Sequence, residues 1–115
     1  MITIRIADEY SRTPGGRHIS DGPFSGEQFR DRFLVPALTR AAETSDKVVV
    51  ILDGTRYLSS FLDEAFGGLV RVCGFTKDQL ALLLEIQALD PSYEVYRNLA
   101  WSYISNALAE RPLAS

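Results

Sequence analysis

The sequence predicts an α/β fold, a single layer of about four mixed strands carrying three to four packed helices. Three observations carry this expectation. Ile2, Ile4 and Ile6 alternate with Thr3, Arg5 and Ala7, the period-two pattern of a half-buried strand. Val48-Val49-Val50-Ile51-Leu52 is an unbroken and mainly β-branched apolar run, the mark of a central strand covered on both faces. Between and after these runs, apolar residues recur at helical spacing, so strands and helices alternate along the chain.

The elements follow in the order β, short β, α, β, α, short α, β, α. After the first strand, Thr13-Pro14-Gly15-Gly16 makes a turn, Arg17 to Ser20 returns as a short second strand, and Asp21-Gly22-Pro23 turns again. Ser25 with Gln28 three residues on is a capping-box pattern. A helix therefore starts there and runs to about Ala42, with Phe29, Phe33, Leu34, Ala37, Leu38 and Ala41 on its apolar stripe. Pro36 lacks an N–H and crowds the preceding turn, so a kink is expected at that point. Asp53-Gly54 ends the central strand. A second helix runs from about Ser60 to Val72, stopped by Gly74. Thr76 with Gln79 opens a brief helix, and Leu82 to Leu89 is read as a strand. Asp90-Pro91 opens the last helix, which runs to about Glu110.

Composition narrows the function classes. The chain has 115 residues, which sets the expectation of one domain over residues 1–115. Its net charge of -3 argues against nucleic acid as a partner, because nucleic-acid binders present a basic surface. Cys73 is the one cysteine, so neither an intrachain disulfide nor a multi-cysteine metal site can form. No apolar run reaches membrane-spanning length, and the start of the chain has no apolar signal core. A cytoplasmic protein without a membrane partner is expected.

The second helix carries the unusual chemistry. Leu62, Ala65, Phe66, Leu69, Val70 and Cys73 share the face expected to meet the sheet. Ser60, Glu64, Gly67 and Arg71 share the opposite face, which is small and polar and is interrupted by the pair Gly67-Gly68. A glycine inside a helix costs about 1 kcal/mol relative to alanine, so something must offset two of them. One reading is close packing within the chain. The other is a shallow groove where a partner approaches the backbone, bound through Ser60, Glu64, Gly67, Gly68 and Arg71. At the head of this helix stand Ser59 and Ser60. Ser60 with Asp63 three residues on, or Ser59 alone, can cap the helix, a contribution of about 1 kcal/mol. Capping explains one serine and leaves the other. A helix start also favours added negative charge, so Ser59 and Ser60 are both candidates for phosphorylation.

This strand, loop, serine pair and helix resemble the switch region of STAS domains, the bacterial anti-sigma-factor antagonists, whose junction commonly reads Asp-Ser-Ser-Gly-Leu. The matching residues here are Leu58-Ser59-Ser60-Phe61-Leu62, with Leu58 and Phe61 where that family has the acidic residue and the glycine. The resemblance implies Ser59 as phosphoacceptor and a histidine-kinase-like ATPase as partner. The chain is still more similar to a STAS-like domain family of unknown function. DGPFSGEQFRDRFLVPAL, VVVILDGT and SSFLDEAFGGLVR carry that similarity, which runs from Asp21 to about Asn106. It implies a STAS-like fold and a role in protein–protein regulation.

Other chemistry finds less support. Pro14-Gly15-Gly16-Arg17-His18 lacks the lysine and spacing of a phosphate-binding P-loop. Arg17, Ser25 and Gly26 bracket a helix start and are a candidate anion site. Asp53, at a strand end, with the single histidine His18 and Arg17, is the only set from which a small hydrolase or nucleotide-handling enzyme could be built. No third catalytic group accompanies them, so the expectation is a non-enzymatic chain without cofactor or metal. The test between the two readings is whether His18 and Asp53 share a pocket.

Overall fold

Three short strands and four helices account for most of the computed structural model, which describes residues 1–110. The strands are β1 (Ile2–Arg5), β2 (Val48–Ile51) and β3 (Leu84–Gln87), all parallel, in the order β1-β2-β3. The register aligns Ile2 with Val48 and Leu84, and Ile4 with Val50 and Ile86. This row joins the main core cluster, together with side chains of all four helices. The other row sets Thr3, Val49 and Glu85 side by side and lies outside that cluster. The helices thus share one face of the sheet. All four residues of β2 are buried, as its uninterrupted apolar run requires.

Parallel neighbours need long crossovers, and helices supply them. The first, α1 (residues 26–44), keeps right-handed helical backbone through Gly26–Phe29, a widened π-type turn at Arg30–Leu34, and Val35–Thr44. Ser25 caps it by accepting from the Gln28 N–H at 3.1 Å. The π turn ends at Leu34, two residues before Pro36, where a missing N–H and a crowded carbonyl disfavour regular α geometry. The second crossover contains α2 (residues 59–71), built from Ser59–Leu62, a second π turn at Asp63–Gly67, and Gly68–Arg71. Then comes α3 (Lys77–Leu83), closed at its start by a reciprocal Thr76–Gln79 capping box. A single 3-10 turn at Pro91–Tyr93, capped by Asp90, leads into α4 (Glu94–Ala109), which packs along α2.

The sheet corrects three expectations. Its described strands number three and are parallel, where about four mixed strands were expected. Arg17 to Ser20 forms no strand, because the Asp21 carboxylate accepts from the Arg17 and His18 N–H groups and curls this stretch into a loop with a 3-10 turn at Ile19–Asp21. The segment read as a strand from Leu82 to Leu89 is split, with Leu82 and Leu83 ending α3 and only Leu84–Gln87 pairing. Among the described residues no helix is long and apolar enough to cross a membrane.

Candidate functional site

The loop that leaves β2 is fastened before it reaches α2. Asp53 accepts from the N–H groups of Leu89 and Asp90 at 3.0 and 3.1 Å, which ties the β2 exit to the β3 exit. Thr55 donates to the Arg12 carbonyl. Tyr57 is 6% exposed, with its ring edge-on to Tyr96 at 5.3 Å. Its hydroxyl is buried and has no hydrogen-bond partner among the described residues. Leu58 follows, 57% exposed, and holds the extended backbone of the helix cap position.

Because Leu58 takes the cap position, Ser59 and Ser60 fall inside the first turn of α2. Among the described residues no side chain caps this helix. The expected capping by Ser59, or by Ser60 with Asp63, is therefore corrected. Ser59 is exposed and Ser60 is half-buried.

Asp63 has other partners, and they build the most charged cluster in the fold. Arg17 reaches from the loop between β1 and α1 to place Nη1 2.9 Å from Asp63 and 3.6 Å from Glu64. Arg71 holds the other Asp63 oxygen at 3.0 Å and also donates to the Asp63 carbonyl. Arg30, from the π turn of α1, donates to the Glu64 carboxylate at 2.5 Å and to the Glu64 carbonyl at 3.1 Å. Its Nε bonds Asp31. Three arginines thus meet three carboxylates. Arg30 is only 2% exposed. Burial works against its charge, but the bonds to Glu64 and Asp31 outweigh it and hold the Arg30 pKa above the ordinary arginine value.

This cluster explains the glycine pair. A Cβ on Gly68 would collide with the Arg30 guanidinium, and one on Gly67 would lie 2.7 Å from Arg71 Nη1 and 2.8 Å from Asp63 Oδ1. Across the same interface, a Cβ on Gly26 would stand 2.5 Å from the Phe61 carbonyl oxygen. The glycines let α1 and its arginine lie against α2, so close packing within the chain offsets their cost. The expected outward face of α2 is corrected accordingly, since Glu64, Gly67 and Gly68 are buried beneath Arg30 and Arg71. Ser60 and Arg71 keep partial or full exposure. Cys73, expected on the core face, is exposed, because α2 ends at Arg71 and the chain turns through Gly74 at φ +77°.

The loop beside the serines is also ordered by the chain itself. Tyr10 donates to the Ser25 carbonyl at 2.9 Å and packs against Phe24, Phe29, Phe33 and Phe61. Burial pushes its hydroxyl pKa up to about 12. The Gly26 N–H donates to the Gly16 carbonyl, and the Ser25 hydroxyl oxygen accepts from the Gln28 N–H. Arg17 is committed to Asp63 and Glu64. Of the expected anion site, the Gly26 N–H is therefore taken and Ser25 is fully buried, while Arg17 has only Nη1 engaged, so the three residues do not present one shared set of free donors. His18 and Asp53, the pair on which an enzyme reading depends, each have other partners. His18 stands beside Glu27 at 3.5 Å, while both Asp53 oxygens serve Leu89 and Asp90. Among the described residues no cluster of potential metal ligands occurs.

Arg30 and Tyr57 escaped the reading of the sequence. Arg30 did leave a signal, for it shares a row with Gly26 and Leu34, and Glu64 shares one with Ser60 and Gly68. Two opposite charges, each set among small or apolar residues, can satisfy each other only across an interface. Tyr57 left none.

Comparison with family models matches residues 25–94 to a STAS-like domain of unknown function. No curated protein and no solved structure matches the chain.

Proposed function

The chain belongs to the STAS-like domain family of unknown function, and on that premise we propose that it is a non-enzymatic regulatory module that binds a protein partner at the amino end of α2. The observation that carries this reading is the placement of Ser59. It is exposed in the first turn of a helix that no side chain among the described residues caps, directly after the exposed Leu58. A Cβ on Gly15 would touch Leu58 at 3.4 Å, so the loop before α1 runs alongside. That loop exposes Ile19 and Phe24. Scattered apolar side chains beside a modifiable hydroxyl suit a contact that charge can break.

The partner is a histidine-kinase-like ATPase or a similar regulator. It transfers the γ-phosphoryl group of ATP to the Ser59 hydroxyl. The Oγ–P bond forms as the bond from phosphorus to the bridging oxygen of ADP breaks, and the hydroxyl proton leaves to the kinase or to solvent. The added charge, about -1.5 to -2, then opposes a contact centred on Leu58. Photo-crosslinking tests the surface. A photoreactive residue in place of Leu58 should give a crosslinked partner in cells that Ser59→Asp abolishes. The same residue in place of Thr39, exposed on α1, should give none. Equal crosslinking from both positions would rule out this surface.

A further inference from the structure

Ser60 is the one serine of the pair that lies within a helical turn of both carboxylates touched by Arg17. Asp63 and Glu64 are its i+3 and i+4 neighbours, about 5–6 Å away between Cβ atoms, and helical side chains lean toward the amino end, hence toward Ser60. Ser59 has only Asp63 at i+4 and sits on the flank of Asp63 away from Glu64.

We infer that Arg17 is a built-in receptor for phosphate on Ser60 but not on Ser59, so that the two adjacent serines carry different signals. The inference rests on the phosphorylation reading above and adds to it which serine the chain itself would answer.

The three arginines of the cluster are not equivalent. Arg30 is buried, with Nε and Nη1 spent on Asp31 and Glu64. Arg71 holds Asp63 with both terminal nitrogens and lies about three turns beyond Ser60. Arg17 alone comes from a loop, its side chain is 36% exposed, and its contacts to both carboxylates run through one nitrogen, Nη1. The rest of its donor fork is available to a phosphate, which guanidinium binds in bidentate fashion. Its backbone is held close by the Glu27 N–H, which donates to the Arg17 carbonyl at 3.0 Å. Only the side chain has to turn.

The charge balance points the same way. Three arginines and three carboxylates cancel in the unmodified cluster. Phosphate on Ser60 adds about -1.5 to -2 beside two carboxylates and draws the one mobile arginine onto itself. Phosphate on Ser59 keeps its charge uncompensated toward solvent. Phosphate on Ser59 would therefore repel a partner, whereas phosphate on Ser60 would be largely absorbed by the fold.

The test uses full-length protein carrying phosphoserine installed during translation at position 59 or at position 60, titrated by 31P NMR. The phosphate at position 60 should ionise at least about 0.5 unit lower in the wild-type background than in Arg17→Gln, with Arg17→Lys recovering part of the difference. The phosphate at position 59 should titrate alike in all three backgrounds. A position-60 phosphate indifferent to Arg17, or an Arg17 dependence at position 59 alone, would overturn the inference. Because the phosphoserine is installed during translation and needs no kinase, failure to find phosphoserine in cells would count against the proposed function and leave this result separate. Amide spectra of each variant verify the fold, and Arg17→Lys keeps the test decisive if Arg17→Gln unfolds.

Discussion

Replacing Arg30 with methionine should destabilise the protein more than any other single change at a charged residue. Arg30 is 2% exposed, and its partner Glu64 is 7% exposed. Removing the guanidinium strands a buried carboxylate, a loss of roughly 3–5 kcal/mol for a pair of this kind. Glu64 retains one other cation, Arg17 at 3.6 Å, which places the expected loss near the low end, about 3 kcal/mol. For a domain of this size each kcal/mol moves Tm by roughly 4–6 °C, so Arg30→Met should melt about 12–18 °C lower by circular dichroism. In urea the midpoint should fall by about 2 M at an m-value near 1.5 kcal/mol/M. The double variant Arg30→Met with Glu64→Leu removes both charges and supplies apolar volume, so it should regain most of that stability. A single variant that melts within about 3 °C of wild type, or a double variant whose loss equals the sum of the two singles, would refute the account of this pair.

Other residues give independent checks. Tyr57→Phe should raise stability by about 1 kcal/mol in urea unfolding, since it deletes a buried hydroxyl that has no partner among the described residues. Ser25→Ala should cost about 1 kcal/mol, because Ser25 caps α1, while Ser59→Ala should stay within about 0.5 kcal/mol, because Leu58 holds the cap position of α2. Gly26→Ala should cost about 1–3 kcal/mol by forcing α1 away from the Phe61 carbonyl, readable as a lowered urea midpoint. Hydrogen bonds from the Ser92 backbone and hydroxyl hold the Asp90 pKa below its ordinary value. That contribution is complete above the unfolded carboxylate value near about 4 and is lost as pH falls through the lower folded value. Stability measured from about pH 4 downward should therefore decline less steeply in Asp90→Ala than in wild type.

What could be read from the sequence was the information that residues carry locally. The Val48–Leu52 run is a central strand because β-branched apolar residues suit no other buried element of that length. Ser25 and Thr76 cap their helices because the acceptor and the N–H it needs lie three residues apart. The serine pair resisted the same logic. Its expected partner Asp63 was taken by Arg17, a residue 46 positions away, and local spacing carries no trace of such a competitor. The face of α2 that looked open was likewise closed by Arg30 from another helix. Leu84–Gln87 became a strand although its composition also favours helix, because β2 offers a free edge beside it. The absent second strand has a local cause, the Asp21 carboxylate gathering the N–H groups of Arg17 and His18, and its signal was one aspartate just after the stretch.

Capture of the tagged protein from its own cells, with tryptic mass spectrometry of the peptide YLSSFLDEAFGGLVR, tests the central claim most directly, since cleavage after Arg56 and Arg71 isolates both serines. The account predicts phosphate on Ser59 in a fraction of the molecules, and a histidine-kinase-like ATPase captured by the wild type but not by Ser59→Asp. A peptide unmodified under every growth condition, with the same partners captured by wild type and Ser59→Asp, would contradict it.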